Sequence, residues 1–308
     1  DNKDYNGGFG TKYNPGNSML SKALTFARSR FENFPGSPMS YAYISAIFKQ
    51  YGHSVKFYVN EIPESFDILL IHVSLIRHNE EISFINKLKS LGKKNIGVYG
   101  PLATVKTELF QDADFIIEGE PEEAIIKICK TNAVPRERVK SKTIIDIDVL
   151  PFPDWSIFPL EEYSFSPILR IKPFVFVLAS RGCPYKCSYC QYLVFGTYRA
   201  RKPEKVIEEL IYLKECYGIK AFFFRDPTFS INQKRIEEIA NLIISNRLDL
   251  KWGCETRLDL LTIPLLQLLH KSGLRAVKVG IESLNHGLLK KLGRIPPNIA
   301  HQEKIINF

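Results

Sequence analysis

The stretch Phe174-Val175-Phe176-Val177-Leu178-Ala179-Ser180-Arg181-Gly182-Cys183-Pro184-Tyr185-Lys186-Cys187-Ser188-Tyr189-Cys190 decides how this chain is read. Its first six residues form a short apolar run closed by a turn signal, the pattern of a fully buried strand. Cys183, Cys187 and Cys190 follow directly at the exit of that run. Three thiolates crowded there suit a metal cluster better than packing. A 4Fe-4S cube normally takes four cysteines. Three leave one iron without a protein ligand, and open coordination separates catalytic from structural metal sites. Two other readings stay open at this point. The thiols could be structural and bind nothing, or a zinc site could be completed by Cys216 or Cys254, although zinc favours paired CxxC knuckles. A disulfide framework is disfavoured by 6 Cys in 308 residues and the lack of a secretory signal. Both point to a reducing, cytoplasmic setting.

Working outward, the length suggests about two domains. Hydrophobic content of 45% and charged content of 24% are ordinary for a globular protein. No stretch approaches 18 apolar residues, so no membrane span is expected. The net charge of +9 is uneven, with 19 basic and 18 acidic residues in 1–150 against 23 and 15 in 151–308. A basic surface, or an anionic group on the substrate, accounts for the excess in the cysteine-bearing half. Nucleic acid is not expected, because the basic residues form no run or stripe.

Before the cysteines, residues 1–38 read as a Gly- and Asn-rich loop with a helical stretch from Ser18 to Phe31. A helix from Ser40 to Tyr51 follows, then strands at Ser54–Val59, Asp67–Val73, Asn95–Tyr99 and Phe115–Ile117, with helices between them. Apolar strands alternating with helices predict a parallel sheet covered on both faces. Such a doubly wound, Rossmann-like sheet binds ligands at the carboxyl ends of its strands. Ser74, Gly100 and Gly119 sit at those ends. The chain opens in what should be a strand-to-helix loop, so a first strand is expected before Asp1. The proline-rich segment 131–170 reads as a linker between domains 1–130 and 171–308. After it, strands beginning at Phe174, Lys220, Leu250 and Ala276 alternate with helices, giving about four βα units of a partial (β/α) barrel. Barrel chemistry gathers at strand ends. Residues two apart share a strand face, so Asp226, Arg257 and Glu282 are candidates to meet beside the cysteines. Asp226 and Glu282 suit an ammonium or ribose hydroxyls, and Arg257 suits a carboxylate. A rim salt bridge from Arg257 to Glu255 or Glu282 is the simpler alternative. Cys129, Cys216 and Cys254 read as buried structural thiols.

At Cys183-Pro184-Tyr185-Lys186-Cys187-Ser188-Tyr189-Cys190 the chain resembles the radical S-adenosylmethionine (radical SAM) superfamily. Its hallmark is CxxxCxxC after the first strand of a partial barrel, with an aromatic before the third cysteine, here Tyr189. The resemblance implies that Cys183, Cys187 and Cys190 hold a 4Fe-4S cluster whose fourth iron takes the amino and carboxylate groups of S-adenosylmethionine. It also implies that Tyr189, Asp226, Arg257 and Glu282 contact that cofactor. The family's Gly-Gly-Glu after strand two is Arg225-Asp226-Pro227 here. Such barrels usually carry six units, so a C-terminal part is expected to be missing.

The N-terminal half resembles the cobalamin-binding domain that precedes many radical SAM cores. The matching pieces are His53-Ser54-Val55, Ser74-Leu75-Ile76, Tyr99-Gly100-Pro101 and Glu118-Gly119-Glu120-Pro121. Small residues at strand ends let a nucleotide tail approach the sheet, and a serine can donate to it. Ser74, Gly100, Gly119 and Glu120 are the implied contacts. No Asp-x-His-x-x-Gly is present, so no histidine ligand to cobalt is implied. The resemblance implies a cobalamin-dependent radical SAM enzyme that methylates an unactivated carbon of a small-molecule or lipid-like substrate. A flavodoxin- or ferredoxin-type protein would supply the electron. The alternatives are an oxidative cyclase, like the anaerobic magnesium-protoporphyrin monomethyl ester cyclases, and a zinc-stabilised binding module.

Overall fold

A computed structural model describes residues 39–59, 61–75, 77–162, 168–190, 192, 196–295 and 298–308. The helix expected over Ser18–Phe31 lies outside the described residues. The chain divides into two compact units, Asp1–Ile145 with Val149–Tyr163, and Asp146–Asp148 with Ser164–Phe308.

The first unit holds α1 (Met39–Gln50), β1 (Leu69–His72), α2 (His78–Ser90), β2 (Ile96–Tyr99), α3 (Pro101–Val105), β3 (Phe115–Glu118), α4 (Glu122–Thr131) and β4 (Arg138–Lys140). The four strands pair in parallel in the order β1-β2-β3-β4. Adjacent residues of a strand point to opposite faces, and both faces are covered. Val98 packs with Ile85 of α2, Leu102 of α3 and Ile116. Tyr99 turns the other way, its ring edge-on to Tyr41 of α1 at 5.9 Å and to His72 at 5.0 Å. The covered parallel sheet was legible in the alternation. The reversal of strand order that defines double winding is not present among the described strands. The strand expected at Ser54–Val59 does not form. That segment has no strand partner among the described residues and lines a groove of about 1480 Å³ that Leu69–His72 also line.

Most of the segment read as a linker, residues 131–145 and 149–163, falls in this unit. It supplies β4 as an edge strand and then returns to α1 through Asp154, whose backbone N–H reaches the Ala42 carbonyl at 3.0 Å. The Asp154 carboxylate accepts from Ser45 Oγ and pairs with Lys49 Nζ at 2.7 Å. Polar residues scattered on one helix face give no sequence signal for a distant partner, so this clasp could not be read in advance.

The second unit holds β5 (Phe174–Val177), β6 (Ser180–Arg181), β7 (Arg199–Ala200), α5 (Pro203–Tyr217), β8 (Ala221–Phe224), α6 (Gln233–Ser245), β9 (Lys251–Thr256), α7 (Ile263–Lys271), β10 (Leu274–Val279), α8 (His286–Lys291) and α9 (Ile299–Ile306). Strands β5, β8, β9 and β10 pair in parallel in chain order, which is the expected series of four βα units. Local chemistry sets the helix ends. Pro203 opens α5, and Gly218 closes it in the left-handed region. Asn232 and Thr262 cap α6 and α7 through their side-chain oxygens. Phe222, Phe224, Phe229 and Trp252 form one aromatic core on the sheet, with Phe224 and Phe229 stacked at 4.4 Å. No helix among the described residues is long and apolar enough to cross a membrane.

Candidate cluster site

The cysteine loop leaves the sheet through a feature that the sequence did not reveal. Ser180–Arg181 and Arg199–Ala200 pair antiparallel and close the base of the loop. Gly182 then turns with φ +73, and a Cβ there would lie 2.4 Å from the Thr197 carbonyl oxygen. Only glycine accepts both constraints without strain. Gly182→Ala is therefore expected to lower stability by about 1–3 kcal/mol and to move the loop, measured as a lower thermal midpoint with lower iron content after reconstitution.

Within the loop, Cys190 N–H donates to the Cys187 carbonyl at 3.0 Å, closing a turn around Tyr189. Cys187 is buried, while Cys183 and Cys190 are half-buried, and all three are free thiols. Burial pushes the Cys190 thiol up, and negative charge on Cys183, Cys187 or Glu282 would push it further, which places these groups in one neighbourhood. Thr228 lies 3.7 Å from Cys183 Sγ. Among the described residues no three His, Cys, Asp or Glu side chains converge closely enough to hold a single metal ion. A zinc ion needs such convergence, with bonds of about 2.3 Å to each sulfur. A cube spreads its thiolates over several irons.

The donor set fits an open iron–sulfur cluster. The candidate fourth cysteines are elsewhere. Cys216 is exposed on α5, which corrects its reading as a buried thiol. Cys254 is enclosed in β9 and its thiol is pushed well above the ordinary range by burial. Cys129 packs in the first unit as expected.

Strand register sorts the remaining candidates. Phe223 pairs with Gly253, and Glu255 pairs with Lys278. On that face Arg225 Nη1 meets Glu255 Oε1 at 2.8 Å, and Lys278 Nζ meets the same oxygen at 2.8 Å. The Arg225 guanidinium also lies over the Phe176 ring at 5.4 Å. Arg225 therefore takes the place in this polar lane that alternation had given to Asp226. The structure turns Asp226 away and encloses it completely. Its oxygens accept from Ala179 N–H at 3.0 Å and Ser180 Oγ at 2.5 Å. Burial pushes its carboxyl up to about 6, against the opposing pull of those donors and of Arg235. Asp226 ties the strand that launches the cysteine loop, with its side chain buried against that strand.

Arg257 is also spoken for, by a partner that neither sequence reading named. Nε and Nη2 grip the Asp259 carboxylate at 2.9 and 2.8 Å, and the guanidinium sits 4.3 Å from the centre of the Tyr185 ring. Glu282 stands exposed with φ +63, beside Tyr189 and Cys190. Tyr189 is 46% exposed, and its hydroxyl accepts from Arg294 Nη1 at 3.2 Å. Arg294 was missed because it lies 105 residues from Tyr189 and belongs to no motif.

In the first unit, Ser74 is fully buried and engaged locally. Its N–H and hydroxyl donate to Glu81, and its Oγ accepts from Arg77 N–H. Gly100 precedes α3 at the end of β2, and Gly119 N–H donates to Thr104 Oγ1. Glu120 is buried. The four residues occupy strand ends as expected, but the Ser74 hydroxyl proton is already committed.

Residues 177–305 match the family model of the Radical SAM superfamily. The match begins at the last residue of β5 and runs through the cysteine loop into α9. An uncharacterized methyltransferase of Pyrococcus horikoshii is 33% identical over 167 residues, covering 54% of this chain and 36% of the relative. The anaerobic magnesium-protoporphyrin IX monomethyl ester cyclase of Cereibacter sphaeroides is 31% identical over 195 residues, covering 55% of this chain and 31% of the relative. The chain thus spans about a third of the length of these curated relatives. Among solved structures, the radical S-adenosylmethionine methyltransferase TsrM from Kitasatospora setae, with cobalamin and a [4Fe-4S] cluster bound, superposes with a TM-score of 0.64. The superposition covers 89% of this chain and 64% of that one at 15% identity, a likeness of fold. The matched residues 177–305 lie in the second unit, whose helices alternate with the parallel strands β5, β8, β9 and β10.

Proposed function

We propose that this chain is part of a cobalamin-dependent radical SAM enzyme that methylates an unactivated carbon of a small-molecule substrate. The observation that carries the reading is the donor set, three free thiols in one loop, with Cys216 exposed on α5 and Cys254 buried in β9. Cys183, Cys187 and Cys190 would hold a 4Fe-4S cluster, and Tyr189 and Glu282 remain open at its edge to meet S-adenosylmethionine. When bound, such a cluster supplies the electron that breaks the cofactor's sulfonium bond. The protein's part is to hold the sulfonium cofactor, keep water out and place the substrate. Lys278, 43% exposed at the end of the polar lane, is suited to an anionic group on the substrate. Asp226 and Arg257 act by holding the loop rather than by touching the cofactor. In the first unit Gly100, Gly119 and Glu120 would border a cobalamin tail, with Ser74 supporting that border through Glu81. A flavodoxin- or ferredoxin-type protein would deliver the electron.

A second reading is oxidative cyclisation without methyl transfer, favoured by the likeness to the Cereibacter cyclase. The two separate when the reconstituted protein is reduced with dithionite in the presence of hydroxocobalamin and methyl-labelled S-adenosylmethionine. Label on cobalamin supports methyl transfer. Release of 5′-deoxyadenosine with unlabelled cobalamin favours the cyclase reading, and release of neither product contradicts both.

A further inference from the structure

Two tyrosines divide the cysteine loop, Tyr185 between the first and second thiols and Tyr189 between the second and third. Each meets an arginine from a different part of the barrel. Arg257 follows β9, is 5% exposed and lies over the Tyr185 ring at 4.3 Å. Asp259 fixes its guanidinium plane through two bonds of 2.9 and 2.8 Å. A guanidinium held this way offers its face to the ring, and the attraction needs the π-system rather than the hydroxyl. Arg294 follows α8 and works by a different contact. Nη1 donates to the Tyr189 hydroxyl at 3.2 Å, and Nη2 donates to the Gly280 carbonyl at the end of β10.

The turn that carries Arg294 is itself pressed against the loop. Ser188 N–H donates to the Leu292 carbonyl at 2.9 Å. Gly293 has φ +67, and a Cβ there would lie 2.8 Å from the Lys186 carbonyl oxygen. The backbone of Leu292–Arg294 therefore lies along Lys186–Tyr189, and a residue larger than glycine at 293 would push the two apart.

We propose that Arg257 and Arg294 are positioning residues that hold the cluster loop by Tyr185 and Tyr189, fixing where the three thiols stand relative to the ends of β9 and β10. This inference rests on the radical SAM cofactor reading and goes beyond it, because neither arginine need touch the cluster or its ligand. Residues that orient ligands from behind typically change metal affinity about 10- to 100-fold when removed. The clamp also predicts a chemical asymmetry that plain packing would not produce. At 185 the ring matters, so Tyr185→Phe should behave as the parent and Tyr185→Leu should behave as Arg257→Ala. At 189 the hydroxyl matters, so Tyr189→Phe should behave as Arg294→Ala.

The test uses the intact chain, anaerobically reconstituted with iron and sulfide. Three readouts are taken: iron per chain, the rate of iron loss to a chelator, and the electron paramagnetic resonance spectrum of the reduced protein before and after S-adenosylmethionine is added. The clamp predicts about tenfold faster iron loss in Arg257→Ala, Tyr185→Leu, Arg294→Ala and Tyr189→Phe. It predicts a smaller or altered spectral response to S-adenosylmethionine in Arg257→Ala, Tyr185→Leu and Arg294→Ala, and parental behaviour in Tyr185→Phe; at Tyr189→Phe, which also removes a proposed cofactor contact, iron loss alone is read. The double variant Tyr185→Leu with Arg257→Ala should be no worse than either single change. If Arg257→Ala fails to fold, the Tyr185→Phe and Tyr185→Leu pair still decides that half. Parental iron retention and spectra in all variants would overturn the clamp while leaving the cofactor reading intact. A parent chain that takes up no iron would overturn the cofactor reading, and this inference with it.

Discussion

Replacing Cys187 with alanine is expected to leave the anaerobically reconstituted protein colourless and nearly free of iron. Cys187 is the buried member of the three and sits between the other two in the loop. Removing it would leave two thiolates to hold the proposed cluster, and soft thiolates are what retain iron–sulfur centres. The fold should survive, because the change deletes one sulfur at a loop position. Removing a small buried group costs on the order of 1 kcal/mol. The control is Cys254→Ala, which deletes an equally buried thiol in β9. It should cost comparable stability and keep its iron. Cys216→Ser, at an exposed helix position, should change neither. Iron per chain measured beside a thermal unfolding curve distinguishes ligand loss from unfolding. Parental iron in Cys187→Ala would refute the ligand assignment.

The second large effect is at Asp226. Alanine there removes the acceptor of Ala179 N–H and of the Ser180 hydroxyl, both in the interior. A buried donor left unsatisfied costs about 1–3 kcal/mol, so Asp226→Ala should cost roughly 2–5 kcal/mol and release the strand that feeds the cysteine loop. Asp226→Asn keeps one carbonyl oxygen and should lose less. The comparison also carries a pH signature. Burial raises the folded-state value from 3.8 to about 6. The native state therefore holds a proton that the unfolded state releases over that interval. The stability this group contributes is fully present below about 4 and is lost as pH rises through about 6. Over that window the parent should weaken relative to Asp226→Asn by on the order of 3 kcal/mol. Chemical denaturation of both proteins from pH 4 to pH 7 measures it. A constant difference across that range would mean that the carboxyl ionises freely and is not enclosed.

What could be read in advance follows from how far each signal reaches along the chain. Apolar runs separated by helical periods located β1, β2, β3 and the four barrel strands, because burial imposes its pattern locally. The cysteine spacing marked the candidate loop because its three thiols lie close together in the sequence. The signal failed where a partner is distant. Ser54–Val59 has the composition of a strand, but no pairing neighbour stands beside it among the described residues. Arg138–Lys140 has no apolar pattern, yet it pairs with β3 because the sheet offers a free edge there. Register decided the rim. Alternation within β8 was legible, but which phase faces Glu255 and Lys278 depends on cross-strand pairing, and that phase selected Arg225 rather than Asp226. Arg257 directly follows β9, and Asp259 and Tyr185 were unforeseen as its partners.

The most direct measurement is iron analysis and electron paramagnetic resonance of the intact chain, reconstituted without oxygen, reduced with dithionite and titrated with S-adenosylmethionine. The expected result is about four irons per chain, in a cluster whose spectrum changes shape as S-adenosylmethionine takes its open iron. A protein that retains zinc instead of iron, or a cluster whose spectrum ignores S-adenosylmethionine, would contradict it.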